Sequence, residues 1–119
     1  MKILCIDDED DIREIAKMSL ELDPDLEVET ASSGALALQQ TAEWHPDLIV
    51  LDYMMPEMDG PATFAELRSR PQTSATPIIF MTARAQASEI ASLMELGAAA
   101  VIAKPFDPMT LASTIREHL

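Results

Sequence analysis

Leu48-Ile-Val-Leu51, followed at once by Asp52, is the stretch whose reading decides the fold. Four consecutive apolar residues, two of them β-branched, are too few for a buried helix and suit a strand. The run does not alternate with polar residues, so both faces of the strand must be covered. That is the signature of an interior strand in a parallel sheet with helices on either side. Working outward, Lys2-Ile-Leu-Cys-Ile6, Ile78-Ile-Phe-Met81 and Ala100-Val-Ile-Ala103 read the same way. A fifth segment, Leu26-Glu-Val-Glu-Thr30, alternates apolar and acidic residues and suits an edge strand.

The intervening segments carry helical spacing. Ile12, Ile15, Ala16 and Ser19 fall on one face, which Leu22 closes. Ile90, Leu93 and Met94 repeat the pattern, and Leu111, Ile115 and Leu119 form a stripe in the last segment. Ser33 and Ser88 are candidate caps for helices near 34–44 and 88–96, and Pro61 opens a helix running to about Arg70. Asp107-Pro108 reads as an N-cap followed by proline in the first helical position, and Gly97 as a C-cap. Strand and helix therefore alternate five times. Such α/β alternation gives a parallel sheet with right-handed crossovers, and its ligand site lies outside the carboxyl ends of the strands.

Length and charge bound the function. The 119 residues make one domain, 1–119, by the prior of roughly 100–200 residues per domain. Apolar residues make up 48%, enough for a core. Eight Lys and Arg against 21 Asp and Glu leave a net charge of −13. That argues against nucleic acid, whose phosphates need a basic face, and against anionic membranes. A lone Cys5 inside a strand forms no internal disulfide, and no apolar run approaches the roughly 18 residues of a membrane span. A soluble, acidic, cytoplasmic protein is expected, without a second, output domain.

The strand ends concentrate the chemistry. The first strand ends in Asp7-Asp8-Glu9, the third in Asp52, the fourth in Thr82 and the fifth in Lys104. Carboxylates converging there repel one another unless a cation intervenes. A hard divalent ion with oxygen ligands removes the conflict, and magnesium takes one or two carboxylates together with a phosphate oxygen. Lys104 adds a point charge and Thr82 a hydroxyl. The combination suits a phosphoryl group, with Asp52 as nucleophile forming an aspartyl phosphate. Blander readings stand beside this one. Asp8 or Glu9 caps the first helix, Thr82-Ala83 is an ordinary turn, Met54, Met55 and Met58 pack a loop, and His45 and His118 are isolated surface residues without zinc-ligand partners. No phosphate-binding glycine loop and no dinucleotide-binding glycine turn is present.

With these residues in place, the sequence closely resembles the receiver domain of two-component response regulators over essentially its whole length. Pro46-Asp-Leu-Ile-Val-Leu-Asp-Tyr-Met-Met-Pro-Glu-Met-Asp-Gly60 is similar to that family's phosphorylation-site segment. Leu4-Cys-Ile-Asp-Asp-Glu9 resembles its acidic pocket, Met81-Thr-Ala83 its hydroxyl position and Lys104-Pro-Phe106 its lysine position. The resemblance implies a flavodoxin-like, doubly wound (βα)5 fold with strand order 2-1-3-4-5. It implies phosphorylation of Asp52 by a histidine kinase or histidine phosphotransfer protein, with Mg2+ held by Asp7, Asp8, Asp52 and the backbone carbonyl of Met54. Thr82 and Lys104 would contact the phosphoryl group, and a cis bond would precede Pro105.

Val101 stands where the family usually has an aromatic switch residue, three before the lysine, so weaker coupling to the outer face at residues 85–119 is expected. Arg84, two residues after Thr82, either leans over the pocket or is solvated. The expected role is a stand-alone receiver that is no turnover enzyme and signals to a separate downstream protein or by onward phosphotransfer. An unphosphorylated pseudo-receiver and a receiver cut from a longer regulator are the alternatives. A magnesium phosphohydrolase with an Asp nucleophile would need a second Asp two residues on, where this chain has Met54.

Overall fold

The computed structural model describes residues 1–119. Strand and helix alternate throughout: β1 Lys2–Ile6, α1 Asp10–Glu21, β2 Glu27–Ala31, α2 Gly34–Thr41, β3 Leu48–Asp52, α3 Gly60–Arg68, β4 Ile78–Thr82, α4 Ala87–Leu96, β5 Ala100–Ala103 and α5 Leu111–Arg116. All neighbours pair in parallel, in the order β2-β1-β3-β4-β5. This is the flavodoxin-like order expected from the resemblance. The alternating segment β2 does lie at an edge.

Side-chain alternation along the strands sorts the core into two layers. Leu4, Ile6, Ile49, Leu51, Ile78 and Phe80 face α2, α3 and α4, where Phe64 stacks on Phe80 with ring centroids 5.6 Å apart. Ile3, Cys5, Leu48, Val50, Ile79 and Met81 face α1 and α5, packing on Ala16, Leu20, Leu111 and Ile115. Every residue of β3 and β4 is buried, as a strand covered on both faces requires. A side chain as large as Leu, Ile or Phe contributes about 1.5–3 kcal/mol when removed from water.

Two glycines have geometric reasons. Gly97 ends α4 at φ 115, where a side chain would be strained. Gly60 brings the start of α3 against the end of β3: a Cβ there would lie 2.6 Å from the Asp52 carbonyl oxygen. Ser33 caps α2 by accepting from the Leu36 amide, and Asp59 caps α3 by accepting from the Ala62 amide, with Pro61 in the first turn.

Several local expectations need correction. The buried face of α1 is Ala16, Ser19 and Leu20, whereas Ile15 and Leu22 are exposed. Ser88 lies inside α4, whose N-cap is Gln86. α2 stops at Thr41 rather than near residue 44. Asp107 does accept from the Met109 amide, at 2.9 Å, but the chain then turns and α5 begins only at Leu111. Leu119 falls beyond its end. Among α4's apolar residues Leu93 is buried and Met94 exposed.

Candidate functional site

The order of the sheet reverses across β1 and β3, so the crevice at their carboxyl ends is the expected binding place. Register delivers the residues. Ile6 pairs with Leu51, Asp52 with Met81, and Thr82 with Ala103. Asp7, Asp52, Thr82 and Lys104 therefore finish their strands at one edge. Backbone bonds lock the edge: Tyr53 donates to the Met81 carbonyl at 2.9 Å and Lys104 to the Thr82 carbonyl at 2.8 Å.

Side chains converge as the sequence implied. Asp7, Asp52 and Thr82 are each about 4% exposed, while Asp8 is exposed. Carboxylate oxygens of Asp7, Asp8 and Asp52 all lie within 4.8 Å of one another. The Lys104 ammonium sits 2.8 Å from Asp7 Oδ2 and 3.1 Å from Asp52 Oδ1, with Glu9 Oε1 at 3.9 Å. The bond between Lys104 and Pro105 is cis. Thr82 Oγ1 accepts from the Arg84 amide at 3.0 Å. Arg84 itself is exposed, in keeping with the solvated reading.

Electrostatics follow from this crowding. Burial, then the charge of Asp7, pushes the Asp52 carboxyl up to about 6, although Lys104 and the Met54 amide both favour its anion. Burial works against the Lys104 ammonium, but its bonds to Asp7 and Asp52 outweigh that and hold its pKa above the ordinary lysine value. Cys5, enclosed beneath the site, is pushed to about 12 by burial and by Asp7, so its thiol is inert. Three close carboxylates, one of them destabilised as an anion by its surroundings, form an all-oxygen donor set. Such a set fits a hard divalent cation such as Mg2+.

Glu9 does stand at the N-cap position of α1, but it makes no side-chain cap bond; instead Asp7 Oδ1 accepts from the Glu9 amide, at 2.9 Å. Met54 stands exposed on the loop after β3, Met55 is buried and Met58 packs on the core. Val101 is half-buried against Phe80 in β4. Spacing in the sequence did not give two of the contacts at the site. Glu9 is the outer partner of Lys104, and Arg13 Nη1 donates to the Asp7 carbonyl at 2.8 Å. An arginine one and a half turns after an acidic strand end was the available signal for the latter.

A sequence model described as the response regulator receiver domain matches residues 3–116. The chain belongs to that family. Among its relatives, the receiver is 42% identical to "Probable transcriptional regulator ycf27" of Porphyridium aerugineum over 99% of its own length and 48% of the relative's. It is 38% identical to "Regulatory protein AtoC" of Escherichia coli over 89% of its length and 22% of that protein's. It thus spans about half or less of these curated relatives. Among solved structures, chemotaxis protein CheY4 of Vibrio cholerae superposes with a TM-score of 0.91 at 33% identity, covering 99% of this chain and 98% of that one. No helix of the receiver is long and apolar enough to cross a membrane.

Proposed function

We propose that this receiver takes a phosphoryl group onto Asp52 from a phosphohistidine on a sensor kinase or histidine phosphotransfer protein. The observation that carries the reading is the convergence of buried Asp7 and Asp52 on one partly buried ammonium, Lys104, beside the exposed Asp8. An Asp52 carboxylate oxygen attacks phosphorus, the P–N bond breaks, and the departing imidazole nitrogen keeps the electron pair and is protonated from solvent. With its pKa at about 6, Asp52 is anionic at neutral pH and available for that attack.

Mg2+ would be held by Asp7, Asp8, Asp52 and the Met54 carbonyl, and when bound supplies positive charge to the carboxylates and phosphoryl oxygens. Lys104 exchanges its contact with Asp52 for a phosphoryl oxygen, and the Thr82 hydroxyl donates to another. The chain catalyses only its own phosphorylation and dephosphorylation. It signals by contact with a separate protein or by onward transfer to a histidine.

The surface for the phosphohistidine partner is the apolar groove of Ile15, Met18, Leu22 and Pro108. Met18 is 62% and Leu22 70% exposed, on the helix that follows the acidic turn. The test is incubation with acetyl phosphate and Mg2+. The receiver should gain one acid-stable, base-labile phosphoryl group, and Asp52→Asn should gain none. Labelling that persists in Asp52→Asn would overturn the assignment.

A further inference from the structure

Arg13 lies in the first turns of α1, yet its guanidinium does not point to solvent. Its side chain is 18% exposed and, with Asp7, Asp52 and Met81, lines a small cleft beside the acidic pocket. Nη1 donates to the Asp7 carbonyl at 2.8 Å, and Nη2 pairs with Asp10. Asp7 is thereby fixed from four sides. Its amide donates to the Ala31 carbonyl at 3.1 Å, Oδ1 accepts from the Glu9 amide, Oδ2 meets Lys104, and its carbonyl meets Arg13.

A second cation at a pocket of clustered carboxylates opposes the entry of a divalent ion by simple repulsion. Its geometry supplies the opposite influence. The turn Asp7–Glu9 carries two of the three clustered carboxylates, and Arg13 is the side chain that ties the carbonyl of that turn to the first turn of α1. A planar fork can hold two acceptors in fixed directions, which a lysine cannot reproduce.

We propose that Arg13 is a positioning residue for the metal pocket: acting through the Asp7 carbonyl and Asp10, it sets the β1–α1 turn so that Asp7 and Asp8 face the cation. The role rests on the reading of the pocket as a Mg2+ site. It is not itself a ligand and does not touch the phosphoryl group.

The experiment is a calorimetric titration of the full chain with Mg2+ alone, for wild type, Arg13→Ala, Arg13→Lys and Asp7→Asn plus Asp8→Asn. Partners that orient metal ligands commonly cost 10–100-fold in affinity when removed, so Arg13→Ala should weaken Mg2+ binding roughly tenfold. This loss should occur although the substitution removes a like charge. Arg13→Lys, with the charge kept and one donor regained, should recover part of it. Equal or tighter binding by Arg13→Ala, with wild type binding normally and the double Asp variant not binding, would overturn the positioning role and leave the Mg2+ site standing. Failure of the wild type to bind Mg2+ would overturn both. A merely structural role would lower metal-free stability and leave the affinity of the folded fraction unchanged, which also counts against the proposal.

Discussion

Replacing Asp52 by Asn should stabilise the metal-free receiver at alkaline pH. The carboxyl of Asp52 titrates at about 6 in the folded chain against an ordinary 3.8, because burial and Asp7 disfavour its anion. At 1.36 kcal/mol per pH unit, that gap means the anion costs the folded state roughly 3 kcal/mol above pH 6 or so. Below about pH 4 the group is protonated in both folded and unfolded chains and the cost vanishes. Asparagine carries no charge at any pH, so its gain should be present near pH 8 and absent near pH 4. Lys104 is not orphaned by the change, since Asp7 stays 2.8 Å away. Urea unfolding with a chelator present is the assay. A gain approaching 3 kcal/mol moves the midpoint by about 1–3 M, given slopes of roughly 1–3 kcal/mol per M. Adding Mg2+ should narrow the difference, because wild type alone gains, by roughly 1.4 kcal/mol at ten times its dissociation constant. An Asn variant less stable than wild type near pH 8 without metal would refute the reasoning.

Gly60→Ala should destabilise the fold by about 1–3 kcal/mol, because its Cβ would press on the Asp52 carbonyl 2.6 Å away; it should also weaken Mg2+ binding, measured by titration. Arg116 hydrogen-bonds Asp23 and holds its carboxyl down to about 2, so that link contributes stability above about pH 4 and loses it as pH falls through about 2. Asp23→Asn should therefore lower the melting temperature at neutral pH, with the difference shrinking steadily as pH falls from about 4 toward 2. Val101 is stiff and half-buried, so an acyl-phosphate mimic should shift amide resonances mainly around Asp52, Thr82 and Lys104; equally large shifts across the outer faces of α4 and α5 would show that Val101 does not limit the response.

Continuous apolar runs announce parallel strands, which is why Leu48–Leu51 and its three counterparts were readable as strands; β5, however, proves to be an edge strand with no buried residue, not a strand covered on both faces. Once the strand ends were located, the chemistry at Asp7, Asp52, Thr82 and Lys104 followed from the rule that such sheets work at one edge. α1 was less readable because its apolar residues, Ile12, Ile15, Ala16, Met18 and Leu20, form a stripe broader than the face the sheet covers. Periodicity cannot choose between a stripe through Ile15 and Leu22 and one through Ala16 and Leu20; the sheet's shape makes the choice, leaving Met18 and Leu22 outside. Asp107-Pro108 carries the right chemistry for a helix start, and Asp107 does accept from the backbone two residues on, but the same bond also serves a turn. The contacts of Arg13 with Asp7 and of Glu9 with Lys104 were not legible because long side chains reach partners that spacing alone does not specify.

The most direct test of the central claim is chemical mapping of the phosphorylated residue. After phosphorylation in Mg2+, borohydride reduces an aspartyl phosphate to homoserine, which mass spectrometry of the peptides locates. The account predicts homoserine at position 52 and nowhere else, with none formed in Asp52→Asn. Homoserine at Asp7, Asp8 or another carboxylate, or a phosphorylated chain with no reducible residue, would contradict it.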